Sequence, residues 1–200
     1  MYRGNSSRVF PMIVILIVVA IAIAALVSAG RAIFGGDTGG DTAQTDAGQK
    51  ALLSTSAGNS VRMTVRGPIV ADEDFRSYRI AVDARGRNLS TYSGYISQVI
   101  DSKQLDNNTK AYEQFVYALD KANLMQGTAF SGEADDTRGI CASGKVYEFE
   151  VLQGGMVTKR LWTSTCKGSP GSFKGSIEQV EKLFLNQIPN NKDLLKPIDL

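Results

Sequence analysis

The sequence predicts an α+β protein: an N-terminal transmembrane helix, then a β-β-β-α-β-β-α domain whose antiparallel sheet carries two helices packed on one face. Three observations predict it. An uncharged apolar run covers residues 9–29, period-two alternation recurs in short segments beyond residue 60, and two later segments carry a single apolar stripe at helical spacing. Helices with one such stripe need a sheet face to cover, and an antiparallel sheet with both on one side is the simplest arrangement.

The chain opens with "MYRGNSSR", residues 1–8, which carry Arg3 and Arg8 and no acid. "VFPMIVILIVVAIAIAALVSA", residues 9–29, follows without a charge. As a helix it spans about 30 Å, the thickness of a bilayer core. Pro11 falls near its start, where a missing backbone N–H matters least. A cleaved leader is the competing reading, because "VSA" precedes Gly30, but a leader's apolar stretch is usually about 7–15 residues. No cysteine follows the run, which excludes a lipoprotein anchor. Arg3 and Arg8 before the span, against Arg31 and a series of aspartates after it, predict a cytoplasmic N-terminus and an extracytoplasmic C-terminal domain at the cell membrane. The lipid bilayer is therefore an expected partner through residues 9–29. Ala20, Ala24 and Ser28 form a small-xxx-small line, the expected face for packing against another helix or membrane protein.

Residues 30–59 are rich in Gly, Ser, Thr and Asp and include the tandem "GGDT". Such a stretch reads as a flexible tether, with "ALL" at 51–53 its one greasy point. The domain is expected over residues 60–189, with 190–200 as a C-terminal tail. In "SVRMTVRG", Val61, Met63 and Val65 alternate with Arg62, Thr64 and Arg66, as in a half-buried strand. A hairpin follows: Tyr78, Ile80 and Val82 share a face, the turn centres on Arg85–Gly86, and the return runs from Asn88 to Tyr92. Residues 93–108 carry no clear period and suggest a short helix around Ile96–Ile100. "NNTKAYEQFVYALDKANLMQG" is a helix with Asn108 or Thr109 as cap, a stripe of Tyr112, Phe115, Val116 and Leu119, and Gly127 as its stop. "GTAFSGEADDTRG" is a polar loop. The second helix, "SIEQVEKLFLNQIPNN", opens on a capping box of Ser176 with Gln179, buries Ile177, Val180, Leu183, Phe184 and Ile188, and ends at Pro189. "YRIAVDARG" (78–86) faintly echoes "YEFEVLQGG" (147–155), as two related halves would.

The two cysteines, Cys141 and Cys166, flank the last hairpin. A Gln153–Gly154 loop sets them directly opposite each other, and Glu148 opposite Lys159. A Gly154–Gly155 loop needs a bulge to bring them close. Either unbulged loop puts Tyr147, Phe149, Val151, Trp162 and both cysteines on one face, with Glu148, Glu150 and Lys159 on the other. Export to an oxidising side predicts a structural disulfide.

The chain has no histidine, which excludes Ser-His-Asp and Cys-His nucleophilic sites and the common zinc sites. No cofactor or metal is expected. Removing Arg3 and Arg8 from the 22 basic residues leaves 20 against 20 acidic ones, so the exported part is neutral and gives no general reason to bind nucleic acid. Arg62, Arg66 and Arg79 are out of phase with the apolar positions and share the face away from the core. Guanidinium forks suit phosphate or carboxylate, so an anionic envelope polymer is the expected ligand class. Glu148 and Glu150 offer the alternative of an extracytoplasmic hydrolase using paired carboxylates. Glu133, Asp135 and Asp136 cluster in a loop without the spacing of a calcium site.

"RVFPMIVILIVVAIAIAALVSAGRAIFGG" followed by "LWTSTCKGSPGSF" resembles uncharacterised single-pass, surface-exposed bacterial envelope proteins. The resemblance covers the anchor and the last hairpin and implies no activity. It fits a binding or scaffolding module of the cell envelope, or a subunit of a membrane complex assembled through its transmembrane helix.

Overall fold

A computed structural model of the chain describes residues 47–95, 97–198 and 200. The apolar run 9–29, its line of Ala20, Ala24 and Ser28, and residues 30–46 lie outside the described residues, as do Ile96 and Asp199. Among the described residues no helix is long and apolar enough to cross a membrane.

Six strands form one antiparallel sheet: β1 (Ser60–Arg66), β2 (Arg76–Asp83), β3 (Gly86–Ser93), β4 (Gln98–Asp106), β5 (Val146–Gln153) and β6 (Met156–Ser164), in the order β4-β3-β2-β1-β5-β6. The described helices are α1 (47–53), α2 (Thr109–Lys121), α3 (Ile177–Leu185) and the short α4 (Asn191–Leu195). The α+β class and the antiparallel sheet agree with the expectation; the element order gains a fourth strand before α2. That strand replaces the short helix expected around Ile96–Ile100. β4 lies at the sheet edge with nearly every side chain in solvent, so no buried face imposes an alternation on its sequence.

The alternation in β1 is realised as read. Val61, Met63 and Val65 are fully buried and join Tyr78, Ile80, Val82, Leu89, Tyr147, Phe149, Val151 and Leu161 in one core. Tyr112, Phe115, Val116 and Leu119 of α2 and Val180 and Phe184 of α3 cover it, with Phe115 edge-on to Phe184 at 5.3 Å. Asn108 caps α2, its side chain accepting from the Ala111 N–H at 3.0 Å. The helix stops at Lys121, before Gly127: Asn123 takes a left-handed φ of 59°, and the Leu124 N–H closes back on the Leu119 carbonyl. Ser176 accepts from the Gln179 N–H, as a cap at that position should.

Packing extends beyond residues 60–189 at both ends. Leu52 of α1 and Ile198 of the terminal turn are buried in the same core. Burying a leucine side chain stabilises by about 1.5–3 kcal/mol, enough to hold a short helix against the sheet. Residues 47–59 and 190–200 are therefore built onto the domain where a tether and a tail were expected.

The last hairpin turns at Gly154–Gly155, both at positive φ, and carries a bulge between Val151 and Leu152. The bulge shifts β6 by one residue, so Glu148 faces Trp162 and Lys159 faces Val151. Trp162 thus leaves the face of Phe149, and Lys159 enters the core side, where it is 2% exposed and its Nζ donates to the Met125 and Gly127 carbonyls. The expected pairing of Glu148 with Lys159 does not form. Cys141 and Cys166 are joined, with Cα atoms 5.4 Å apart, though Cys141 lies outside the strand. Cys141 adopts a left-handed φ of 58° and its carbonyl accepts from the Gly144 N–H, a turn that folds its sulfur back to Cys166. With Ile140, Val146 and Trp162 the bridge forms a second small core on the face away from the helices.

Replacing both Cys141 and Cys166 by Ser is expected to cost about 3 kcal/mol, measured as a lower urea midpoint for residues 42–200. Alkali should act through three tyrosines, Tyr78, Tyr147 and Tyr112, the last raised by burial and by the Asp83 charge. The Tyr78 hydroxyl donates to Glu181 at 2.8 Å, and burial, reinforced by the Glu181 charge, raises its pKa strongly. The same causes push Tyr147 up to about 12. The unfolded chain releases these protons near pH 10 while the folded chain retains them, so the folded state binds more protons above that pH. Stability is expected to be intact below about pH 10 and to fall as pH rises towards 12, and Tyr78→Phe should flatten that fall in pH-dependent unfolding curves.

Candidate functional site

The sheet face opposite the helices forms a concavity of about 300 Å³. Strand alternation arms it: Arg62, Thr64 and Arg66 from β1, Ser77 and Arg79 from β2, Tyr92 from β3, Glu148 and Glu150 from β5 and Arg160 from β6. Register then pairs them. Arg62 stands directly opposite Glu150, Thr64 opposite both Arg79 and Glu148, and Glu150 opposite Arg160.

These neighbours make a charge-assisted lattice. Arg62 Nε donates to Glu150 Oε2 at 2.5 Å, and that hydrogen bond raises the Arg62 pKa against the cost of burial. Glu148 is held from two sides, by Arg66 Nη2 at 2.9 Å and Arg160 Nη2 at 2.8 Å. Arg160 also reaches Asp135 at 2.7 Å; burial opposes its charge, yet its bonds to Glu148 and Asp135 carry the pKa upward. Arg66 donates to the Thr137 hydroxyl at 2.5 Å, tying the 127–145 loop to the sheet. Arg79 donates to the Thr64 hydroxyl at 3.2 Å and lies 5.7 Å over the Tyr92 ring. Among the described residues Arg79 forms no ion pair, and Arg66 Nε is buried without a hydrogen-bond partner. Four guanidinium groups meet the three carboxylates of Glu148, Glu150 and Asp135, a net excess of one positive charge.

A second hollow of about 220 Å³ shares Arg66, Phe75, Tyr95 and Thr137 with the first. Its walls are mainly apolar, from Ile69, Phe75, Tyr95, Ile140 and Val146, with Phe75 and Tyr95 stacked at 4.1 Å. A guanidinium-rich lining and an apolar wall thus adjoin. A wider depression of about 460 Å³ lies at Tyr78, Lys145, Lys196 and Glu181, beside the tail-end packing, and has no such clustered forks.

The three arginines singled out by phase, Arg62, Arg66 and Arg79, do come together on one face. Arg160, Asp135, Thr137 and Tyr92 were missed. The bulge hides the face on which Arg160 lies, and loop residues 135 and 137 reach the site only through tertiary folding. Glu148 and Glu150 line the concavity, as acid–base chemistry would require, but each is engaged by guanidinium partners. Glu133, Asp135 and Asp136 do not converge: Asp135 binds Arg160, and the Arg138 guanidinium takes Asp136 and holds its carboxyl at about 2. Among the described residues no group of three or more acids or other ligating side chains is placed to hold a metal ion.

No protein-family model matches the chain, and no curated protein matches it.

Glu148→Gln should lower stability by about 1–3 kcal/mol, because it leaves Arg66 and Arg160 sharing a neutral acceptor. Urea unfolding compared with an Arg85→Gln control, at an exposed turn residue, checks this.

Proposed function

We infer that the protein is a membrane-anchored, extracytoplasmic binding module of the cell envelope, and that its concave sheet face captures an anionic group of a surface component. The apolar run 9–29 and its flanking charges support the anchor and its orientation. Arg79 carries the ligand assignment. Its fork faces a concavity already rich in guanidinium groups, is braced by Thr64 and Tyr92, and has no carboxylate of its own among the described residues. An entering phosphate or carboxylate would meet oriented N–H donors without displacing an existing ion pair. The adjoining apolar hollow favours a ligand with a hydrophobic portion beside its charge.

The reading assigns no reaction. It predicts that residues 42–200 bind an anionic cell-wall fraction, and that Arg79→Gln weakens this binding at least tenfold, about 1.4 kcal/mol, while Arg85→Gln leaves it unchanged. Added salt should weaken the wild-type interaction. Isothermal titration measures all three; equal binding by the Arg79 variant would remove the assignment, and turnover of the polymer abolished by Glu148→Gln would replace it with the carboxylate hydrolase.

A further inference from the structure

The two edges of the sheet are treated differently. β6 is covered: the Phe173 N–H donates to the Trp162 carbonyl at 2.9 Å, the Trp162 N–H donates to the Ser172 hydroxyl, and Gly127 bridges to Phe173. Gly171, at a φ of 69°, permits that close approach, since a Cβ there would sit 2.2 Å from the Trp162 carbonyl oxygen. Among the described residues β4 has no such cover. It runs for nine residues, "QVIDSKQLD", with a bulge at Ile100 that leaves Asp101–Asp106 as its regular stretch, and it exposes Val99 by 57% and Ile100 by 44%. Open edges of this length template pairing with another chain.

The backbone parity of β4 is defined. The Asn107 N–H donates to the Arg85 carbonyl, and the Asp101 and Lys103 carbonyls accept from Thr91 and Asn88 side chains on β3. Counting by twos along the ladder, Asp101, Lys103 and Leu105 turn their backbone groups towards β3, while Ser102, Gln104 and Asp106 turn theirs outward. The Ser102 N–H confirms this, for in the single chain it is taken by the Asp101 carboxylate at 2.7 Å.

We propose that β4 pairs antiparallel with β4 of a second copy, Ser102 lying on the twofold axis, to join two six-stranded sheets into one. In that register Ser102 meets Ser102 of the partner as a hydrogen-bonded pair. Asp101 stands opposite the partner's Lys103, and Lys103 opposite the partner's Asp101, at the closer non-hydrogen-bonded positions. The sequence is self-complementary in charge about Ser102, as a twofold interface requires. Charges on an edge normally guard it; here a one-residue slip loses the ion pairs and turns the outward backbone groups out of register, so the guard admits one pairing. On pairing, the partner's carbonyl replaces the Asp101 carboxylate at the Ser102 N–H and releases that carboxylate to Lys103 of the partner subunit, an ammonium that in the single chain donates to the Pro189 carbonyl at 2.8 Å.

The proposal is independent of the ligand reading and is tested on the full chain. The native cysteines are joined to each other, so an introduced cysteine is the sole free thiol. Opposed Cα atoms in a hydrogen-bonded pair lie about 5.5 Å apart, within disulfide reach. Mild oxidation of cell homogenate should convert Ser102→Cys mostly to a covalent dimer on non-reducing gels. Val99→Cys should not cross-link, because the two copies of that position stand about 20 Å apart along the strands. Adding Asp101→Lys to the Ser102→Cys chain should reduce the dimer band at least tenfold, and the further exchange Lys103→Asp should restore it. No dimer from Ser102→Cys, equal dimer from Val99→Cys, or a charge exchange that fails to rescue would each overturn the proposal.

Discussion

β1 is the strand on which both faces of the protein depend. It is the one strand whose seven residues are all paired on both sides, to β2 and to β5, so it has no freedom to slide. Its apolar residues Val61, Met63 and Val65 point into the core, and Arg62 and Arg66 point into the concavity. A slip of one residue would exchange the two sets and drive guanidinium groups into an apolar interior. Separating a buried charge from its partner costs about 3–5 kcal/mol, a large share of a domain's net stability. The register that makes the core is therefore the register that positions the cations. Site geometry and fold stability are one constraint.

The bulge between Val151 and Leu152 makes the second decision. Without it, Lys159 would share the outer face and Arg160 would turn inward. With it, Arg160 stands opposite Glu150 and clamps Glu148, completing the lattice, while Trp162 moves out to pack beside Val146 and the disulfide. The cost falls on Lys159, whose ammonium must be accommodated on the core side. Its long stem lies among apolar groups, and two backbone carbonyls at the α2 exit and the following bridge accept hydrogen bonds from its ammonium. One extra residue in a ladder thus trades a buried lysine for an organised arginine.

What could be read from the sequence follows burial. β1, the β2–β3 hairpin, α2 and α3 each bury one face, and each leaves a period of two or about 3.6 in its residues. β4 is wet on both sides and leaves none. α1 is short and set in a Gly- and Thr-rich stretch, so its burial shows only as Ala51 and Leu52. That Arg62, Arg66 and Arg79 share the outer face was legible because their phase opposes that of the core. Arg160 was not, since a bulge leaves no mark in composition and reverses the phase behind it. Thr137 and Asp135 sit in a loop whose sequence specifies polarity but not destination. The pairing of the cysteines was legible from their number and setting, whereas its geometry rests on a left-handed turn at Cys141 that a pattern of alternation does not encode.

If the concavity receives an anion, as proposed, the carboxylates inside it would have a constructive part. Bare arginines on a sheet would repel one another and spread into solvent, and fixing them would then oppose binding with lost side-chain entropy. Glu148 and Glu150 hold Arg62, Arg66 and Arg160 in place beforehand, at the expense of most of the net charge. The remaining field is weak beyond a Debye length of about 8 Å, in keeping with a near-neutral domain. For an anion at this face, discrimination would come from short-range geometry: the forks already oriented by Glu148 and Glu150, the Arg79 fork lying on Tyr92, and the apolar wall behind Arg66. A site of that kind selects by shape and hydrogen-bond direction more than by charge, because its own acids repel any anion that fails to reach the donors.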